Sequence, residues 1–340
     1  MAVTIKQIAK VTGVSRGTVD RVLNHRGNVN IQTEAEILRV AEELGYKPNL
    51  AGKALAARKK KYVIGMILSS EGNEFFEEVL EGVRCAENES AEYGITIRLS
   101  TMKGYDVNKQ LELMDDMTGK VQLLILNAIN DVRIKDKIAM MKAKGIECIT
   151  VNTEIEGGDV LCHVGVDYEK SGSTAAGVMS LIAGNGTKIA IAMGSKNILG
   201  HNQRVDGFVR TMKKHCPDSE ITAIFETKDD NTMGYDFMKQ VLKEHPDTGA
   251  VYVTSGGQPG VCRAIRESGR KDLVVVTSDA TRSVKALIAE GIIKATICQE
   301  PFRQGYCSVH TAVQYLVNVV MPEEDGYAVK NEIKIYENLE

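Results

Sequence analysis

At 340 residues, with 43% hydrophobic and 26% charged residues, the chain has room for two or three domains and a large core. No apolar run approaches the ~18–20 residues a membrane helix needs, and the N-terminus has no charged start followed by an apolar signal core, so a cytoplasmic protein without a membrane partner is expected. The net charge of −3 hides a split: residues 1–61 hold 12 Lys and Arg against 5 Asp and Glu, and the remainder 30 against 40. A basic module on an acidic body fits a nucleic-acid-binding head on a body that binds something else. Seven scattered cysteines without a CxxC pair read as reduced, mostly buried thiols, so neither a metal site nor a redox pair is expected.

The first elements are two short helices within Thr4–Asn24. Ile5, Ile8 and Ala9 form one apolar face, and Val19, Val22 and Leu23 another at the same spacing. Between them Gly13 can supply the positive φ of a tight turn, Val14 can tuck into a small core, and Ser15 is a good N-cap. This is the pattern of a helix-turn-helix, in which the start of the second helix enters the major groove. Here that start carries Ser15, Arg16 and Thr18, with Arg21 a turn further on. An ordinary helical hairpin shows the same spacing, so the rest of the chain must distinguish them. A third helix lies within 28–45, with Thr33 as N-cap, Ile37, Val40, Ala41 and Leu44 on one face, and Gly45 as stop.

From Tyr62 onward, apolar strands alternate with amphipathic helices. Strands are expected at 62–68, 96–99, 123–126 and 148–151, with helices near 74–91, 106–118 and 131–144. Further strands follow near 161–166, 187–193, 220–226, 250–254, 273–277 and 294–299, and Glu332 to Tyr336 reads as a last strand. This rhythm implies right-handed crossovers, parallel sheets and two lobes with a cleft at the strands' carboxyl ends. No nucleotide, zinc-protease or nucleophile-elbow motif occurs, and the six His show no metal-ligand spacing, so no catalytic residues, metal or cofactor are expected.

The early helix-turn-helix, the Gly45-Tyr46-Lys47-Pro48-Asn49 segment and the alanine-rich run before Arg58 together resemble the headpiece and hinge of the LacI family of bacterial transcription regulators. The resemblance implies a small all-α helix-turn-helix domain plus an α/β two-lobed, periplasmic-binding-protein-like domain with parallel sheets flanked by helices. It places the headpiece at 1–48, the hinge helix and linker at 49–61, the N-terminal lobe at 62–160 with 294–321, and the C-terminal lobe at 161–293 with 322–340. The implied protein is a homodimeric repressor of operator DNA, controlled by a small molecule in the cleft. DNA contacts are expected from Thr4, Ser15, Arg16, Gly17, Thr18, Arg21, Asn24, Tyr46, Asn49, Gly52, Lys53 and Leu55, with Leu55 wedged into the minor groove. Gly17 stands where relatives often present a longer side chain, and Gly52 where they commonly have Ala.

By position, Asn73, Phe75, Phe76, Arg204, Asp279 and Gln299 match the family's sugar-contact positions, with Asn152 and Ser255 or Gly256 at two further cleft loops. Aromatic faces stack on a pyranose, and Arg, Asp and amide groups can hydrogen-bond several hydroxyls at once. Asn152-Thr153 stands where many sugar binders have an Asp-Arg pair, and Ser255-Gly256 where they have Asn-Asp. These departures leave the particular ligand open, and the Phe75-Phe76 pair makes a sugar or sugar derivative the expected effector. A nucleobase or phosphorylated metabolite is the alternative, and a sugar-binding protein or enzyme without a DNA role is the competing class. Asp167 is expected to cap a helix.

Overall fold

A computed structural model describes residues 3–23, 29–46, 55, 57–322 and 327–339. The first three helices, α1 (Ile5–Thr12), α2 (Arg16–Leu23) and α3 (Ile31–Glu43), enclose a small core of Ile8, Val19, Val22, Ile37 and Val40. Gly13 ends α1 at φ 68°, a conformation costly to any residue with a Cβ, and Ser15 Oγ accepts from Thr18 N at 3.0 Å, which starts α2 at the expected residue. The expected cap of α3 is corrected. Asn30, not Thr33, accepts from Gln32 N through its side chain, because an extended residue with a short acceptor already precedes the first turn, and Thr33 lies within that turn.

The body holds two parallel sheets with matching strand orders. In the first, β1 (Val63–Leu68), β2 (Thr96–Thr101), β3 (Leu123–Leu126), β4 (Glu147–Val151) and β5 (Cys162–Gly165) lie in the order β5-β4-β3-β1-β2, with β11 (Tyr327–Ala328) on the outer edge of β5. In the second, β6 (Lys188–Met193), β7 (Glu220–Glu226), β8 (Ala250–Val253), β9 (Val274–Ser278) and β10 (Ile293–Cys298) lie in the order β10-β9-β8-β6-β7, and β12 (Glu332–Lys334) pairs antiparallel with β10. Each sheet has an apolar layer on both faces. Ile64, Met66 and Leu68 of β1 face one core and Ile67 the other, which is why these strands read as continuous apolar runs.

Helices α4 (Phe75–Glu89), α5 (Val107–Met117), α6 (Val132–Ala143) and α12 (Pro301–Val313) cover the first sheet. Helices α7 (Tyr168–Ala183), α8 (Leu199–His215), α9 (Asn231–Glu244), α10 (Gln258–Glu267) and α11 (Arg282–Ala289) cover the second.

The strand pairing redraws the expected lobe boundaries. β5, expected in the second lobe, pairs with β4 of the first, from Ile149↔Cys162 to Val151↔Val164. β10, expected in the first, pairs with β9 of the second, and the tail divides between both sheets. The break in rhythm at 152–161, where no helix intervenes, marks an ordinary loop. The chain crosses one strand later, beside the cap at Asp167. It crosses back at Gln299–Glu300 and again at 329–331. The three crossings are tied together: Lys330 N donates to Glu300 Oε2 at 2.9 Å, Asn331 Nδ2 to the Asp167 carbonyl at 3.3 Å, and Val166, Tyr168 and Val329 pack as a small core. The C-terminal strand stops at Lys334, and a short 3-10 turn holds Tyr336.

Candidate ligand-binding cleft and nucleic-acid interface

The carboxyl ends of both sheets face one cleft with about 520 Å³ of space free of protein atoms, its open mouth included. All eight residues expected there line it: Asn73, Phe75, Phe76, Asn152, Arg204, Ser255, Asp279 and Gln299. Phe75 and Phe76 open α4, are both buried, and meet edge to face with centroids 5.2 Å apart. They are at once part of the first lobe's core and of the cleft wall.

Arg204 is held by the approach of α7 to α8. A Cβ at Gly172 would lie 1.9 Å from the Arg204 carbonyl and one at Gly207 2.0 Å from that of Glu169, so glycine alone permits this spacing. The guanidinium lies 4.8 Å from the centroid of the Tyr168 ring, and its Nη1 donates to the Thr254 carbonyl at 2.6 Å. Its Nε and Nη2 are buried without a partner, as are Asp279 Oδ1, Ser255 Oγ and Thr153 Oγ1. Buried polar groups are ordinarily paired, so this cluster of free donors and acceptors around one space is what a polar ligand would satisfy. Burial pushes the Asp279 carboxyl up to about 6, against the opposing pull of Arg204 and the donation from Gln299. Asp279 and Asn152 both sit at positive φ, 67° and 66°, at the ends of β9 and β4.

Contacts across the cleft hold the lobes together. Asp229 accepts from Asn73 Nδ2 at 3.2 Å and from the Tyr105 hydroxyl, and its other oxygen accepts from Gly256 N at 2.9 Å. Glu74 accepts from Ser283 N and Oγ at 3.0 and 2.9 Å. His201 accepts from Ser195 N through Nδ1, meets the Tyr105 ring edge-on, and is pushed down to about 4 by burial, so it is neutral at physiological pH.

In the headpiece Arg16, Gly17 and Arg21 are exposed along α2, and Arg21 Nε donates to the Gly17 carbonyl at 3.3 Å. Thr4 caps α1 in a reciprocal pair with Gln7, and the Ser15 and Thr18 hydroxyls are 2.9 Å apart. Tyr46 packs against the headpiece core, and Leu55 is 60% exposed. Asn24, Asn49, Gly52 and Lys53 lie outside the described residues.

Comparison with known proteins agrees with both halves. The family model for bacterial regulatory proteins of the lacI family matches residues 4–49, and that for the periplasmic binding protein domain residues 64–318. The chain belongs to the LacI family. It is a DNA-binding transcriptional regulator whose body is a periplasmic-binding-protein-like domain. The regulator is 28% identical to catabolite control protein A of Priestia megaterium over 83% of its own length and 84% of that protein's. It is 25% identical to the ribose import binding protein RbsB of Salmonella typhimurium, over 78% and 89%. Its body has the fold of GanP, a glucose-galactose binding protein from Geobacillus stearothermophilus, with a TM-score of 0.75 at 20% identity, covering 82% of this chain and 98% of that one.

The regulator's cleft also contains residues the sequence reading passed over: Tyr105, Asn127, Tyr168, His201, Asp229 and Gln258. Asn127 and Asp229 lie just beyond β3 and β7, so the rule that ligands meet strand ends would have found them. Tyr168 was hidden behind Asp167, which does cap α7, accepting from Lys170 N at 2.8 Å. Tyr105 enters from the loop after β2, and nothing in its neighbours marks it. Among the described residues no group of three or more His, Cys, Asp or Glu is placed to hold a metal ion, and no helix is long and apolar enough to cross a membrane.

Proposed function

We propose that this regulator is a cytoplasmic homodimeric repressor whose operator affinity is set by an uncharged monosaccharide bound in the cleft. The observation that carries the ligand class is the set of unpaired buried groups at Arg204, Asp279, Ser255 and Thr153 around one space walled by Phe75 and Phe76. Ring hydroxyls can accept from the guanidinium and donate to the carboxylate while an apolar sugar face lies against a phenyl ring. An analogue lacking one hydroxyl would leave a buried partner unpaired, which is the source of selectivity. Charge argues against a phosphorylated ligand: among the lining residues Arg204 is the one permanent cation, facing Asp229 and Asp279. A phosphate of about −1.5 to −2 would enter a site already short of positive charge. The sugars named for RbsB and GanP point the same way.

Ser15, Arg16, Thr18 and Arg21 would present the start of α2 to base edges or phosphates, with Thr4, Gly17 and Tyr46 close to the backbone. Residues 49–61 would link the headpiece to the lobes, with Leu55 as the minor-groove wedge; Asn24, Asn49, Gly52 and Lys53 belong to the same proposed DNA surface. Sugar-driven closure would change how the lobes present this segment, and the coupling is reciprocal.

The test is fluorescence anisotropy of DNA from upstream of the protein's own gene, at two salt concentrations. D-ribose, D-arabinose, D-glucose and D-galactose would each be added, with glucose 6-phosphate as the charged control. Sequence-specific binding that falls steeply with salt and shifts with one neutral sugar is the expected result. A shift with the phosphate alone sinks the ligand class, and binding no better than to random DNA sinks the assignment of this DNA as operator.

A further inference from the structure

A file of side-chain amides runs from the first lobe through the hinge to the cleft carboxylate, and every member points the same way. At the end of β1, Ser69 N donates to Asn127 Oδ1 at 3.4 Å, and Asn127 Nδ2 donates to Asn152 Oδ1 at 3.3 Å. Asn152 Nδ2 donates to Gln304 Oε1 at 3.3 Å, Gln304 Nε2 to Gln299 Oε1 at 3.3 Å, and Gln299 Nε2 to Asp279 Oδ2 at 3.1 Å. Backbone groups with only one possible role fix this direction at two points. Asn127 Nδ2 also donates to the Val151 carbonyl at 3.4 Å, and Gln304 Nε2 to the Gln299 carbonyl at 2.8 Å. Asn127, Gln304, Gln299 and Asp279 are all buried, so none of these four can exchange its partner for bulk water; Asn152 is partly buried.

Gln304 is the step between lobes. It stands on α12 of the first lobe, does not line the cleft, and meets Gln299 where the chain leaves the second sheet. We propose that Gln304 is a positioning residue: its amino group fixes Gln299 with its own amino group toward Asp279, and so keeps Asp279 Oδ1 a charged acceptor for the bound ligand. The proposal rests on the reading of the cleft as the effector site.

The physical reason is the two-sidedness of an amide. Gln299 Oε1 has one other donor, the Tyr168 hydroxyl at 3.1 Å, whose single proton is shared with the Asn152 carbonyl. Without the amino group at 304 that shared hydroxyl alone holds the Gln299 carbonyl away from Asp279, and the amide turns more readily. Two acceptors would then face each other, and the carboxyl would take up a proton to relieve them. A neutral carboxyl no longer offers two charged lone-pair oxygens, so affinity falls although no contact residue has changed. Chains of aligned hydrogen bonds also polarise one another, so the loss is felt at the end of the file.

The charged and titratable groups around Asp279 are Arg204 on α8, Asp229 beyond β7, Glu78 on α4, Tyr168 on α7, Tyr252 on β8 and Cys298 on β10, with Glu74, Lys285, Glu300, Glu332 and Lys334 in the neighbouring cavity. A neutral substitution at 304 alters none of these.

The experiment follows the Asp279 carboxyl by carbon-13 NMR in the full chain without ligand, its signal assigned by its loss in Asp279→Asn. In the wild type burial is expected to hold its midpoint well above the usual carboxylate range, at about 6. In Gln304→Met and Gln304→Leu the midpoint is expected to rise by roughly one pH unit or more. The Gln299 side-chain amide signals are expected to move with it, while the circular dichroism spectrum is retained. A midpoint within about 0.3 unit of wild type in both variants overturns the proposal, since that is well inside the shift one lost donor produces. Failure of both to fold also overturns it, because Gln304 would then be a structural core residue. The titration needs no sugar, so a shift in a protein that binds none of the four monosaccharides leaves the positioning role standing and removes only the effector reading.

Discussion

The two lobes share one strand order and use it to build opposite walls. On the first, most cleft residues are already committed, Phe75 and Phe76 to the core beneath them and Asn127 and Asn152 to each other and to Gln304, while Thr153 Oγ1 is left unpaired. On the second, Arg204 and Asp279 are buried with part of their hydrogen-bonding capacity unused, and both stand among charged neighbours. A doubly wound sheet therefore fixes where a binding residue can sit, and the residue placed there decides whether the wall supports the fold or the ligand. The first wall is expected to respond to mutation through stability and the second through affinity.

The largest effect tests the first wall. Phe76→Ala removes a ring that is 4% exposed from the first lobe's core, and truncating a buried aromatic costs about 3–5 kcal/mol. Denaturant unfolding of the full chain should show that loss. A variant of unchanged stability that has lost sugar binding would make Phe76 a ligand residue and break the contrast.

Arg204→Met tests the second wall. Truncating one member of a desolvated charged set costs about 2–5 kcal/mol of binding, roughly thirtyfold or more. Calorimetry with the bound sugar should show that loss, with a smaller change in melting temperature than Phe76→Ala. Arg204→Lys should not restore it, because an ammonium cannot hold Thr254 and present two further donors in one plane.

Asp279→Asn separates stability from function on the same wall. A carboxyl raised from 3.8 to about 6 on folding binds its proton more tightly in the folded state, so its contribution to stability falls as pH rises between those values. Above pH 6 the buried charge costs about 3 kcal/mol at most, at 1.36 kcal/mol for each unit. The Asn variant should gain part of this at pH 7.5 while binding sugar more weakly, and the gain should vanish below about pH 4. The other buried group of this wall, His201, works in the opposite sense: it is depressed to about 4, so stability rises with pH between 4 and 6.5. The difference between wild type and variant, rather than either curve alone, isolates Asp279.

Much of this was legible in the sequence because the central strands β1, β3, β6 and β8 are apolar runs between helices, and most cleft contacts lie at strand ends. The sequence placed Asp279 and Gln299 on the second wall because each directly follows a strand, and Arg204 because it lies near the start of the helix after β6. The lobe boundary was less legible, since a four-residue strand such as β5 carries no sign of which sheet will pair it; hydrogen bonds to β4 decide that, and they depend on distant chain. The amide file was invisible because Gln304 sits in the opening turn of α12, where a polar residue reads as solvent-facing. Only packing shows that α12 turns this position toward the crossing at Gln299.

The headpiece offers the smallest effect and a contrast with both walls, because its functional surface is neither core nor cleft. At Gly17 a Cβ would meet nothing closer than Ser15 Oγ at 3.7 Å, ordinary van der Waals contact, and the residue lies inside α2. The glycine is therefore not required by the turn or by packing, unlike Gly13, whose φ is 68°. Replacing it with alanine should stabilise α2 by up to about 1 kcal/mol, through the backbone entropy no longer lost on folding and without a new contact. The headpiece transition of the full chain should rise by a few degrees, with sugar affinity unchanged. If stability rises and operator affinity stays constant, position 17 contributes little to DNA readout and recognition rests on its neighbours, Arg16 first. If operator affinity drops although the helix is firmer, the absence of a side chain at 17 is itself what lets α2 approach the bases.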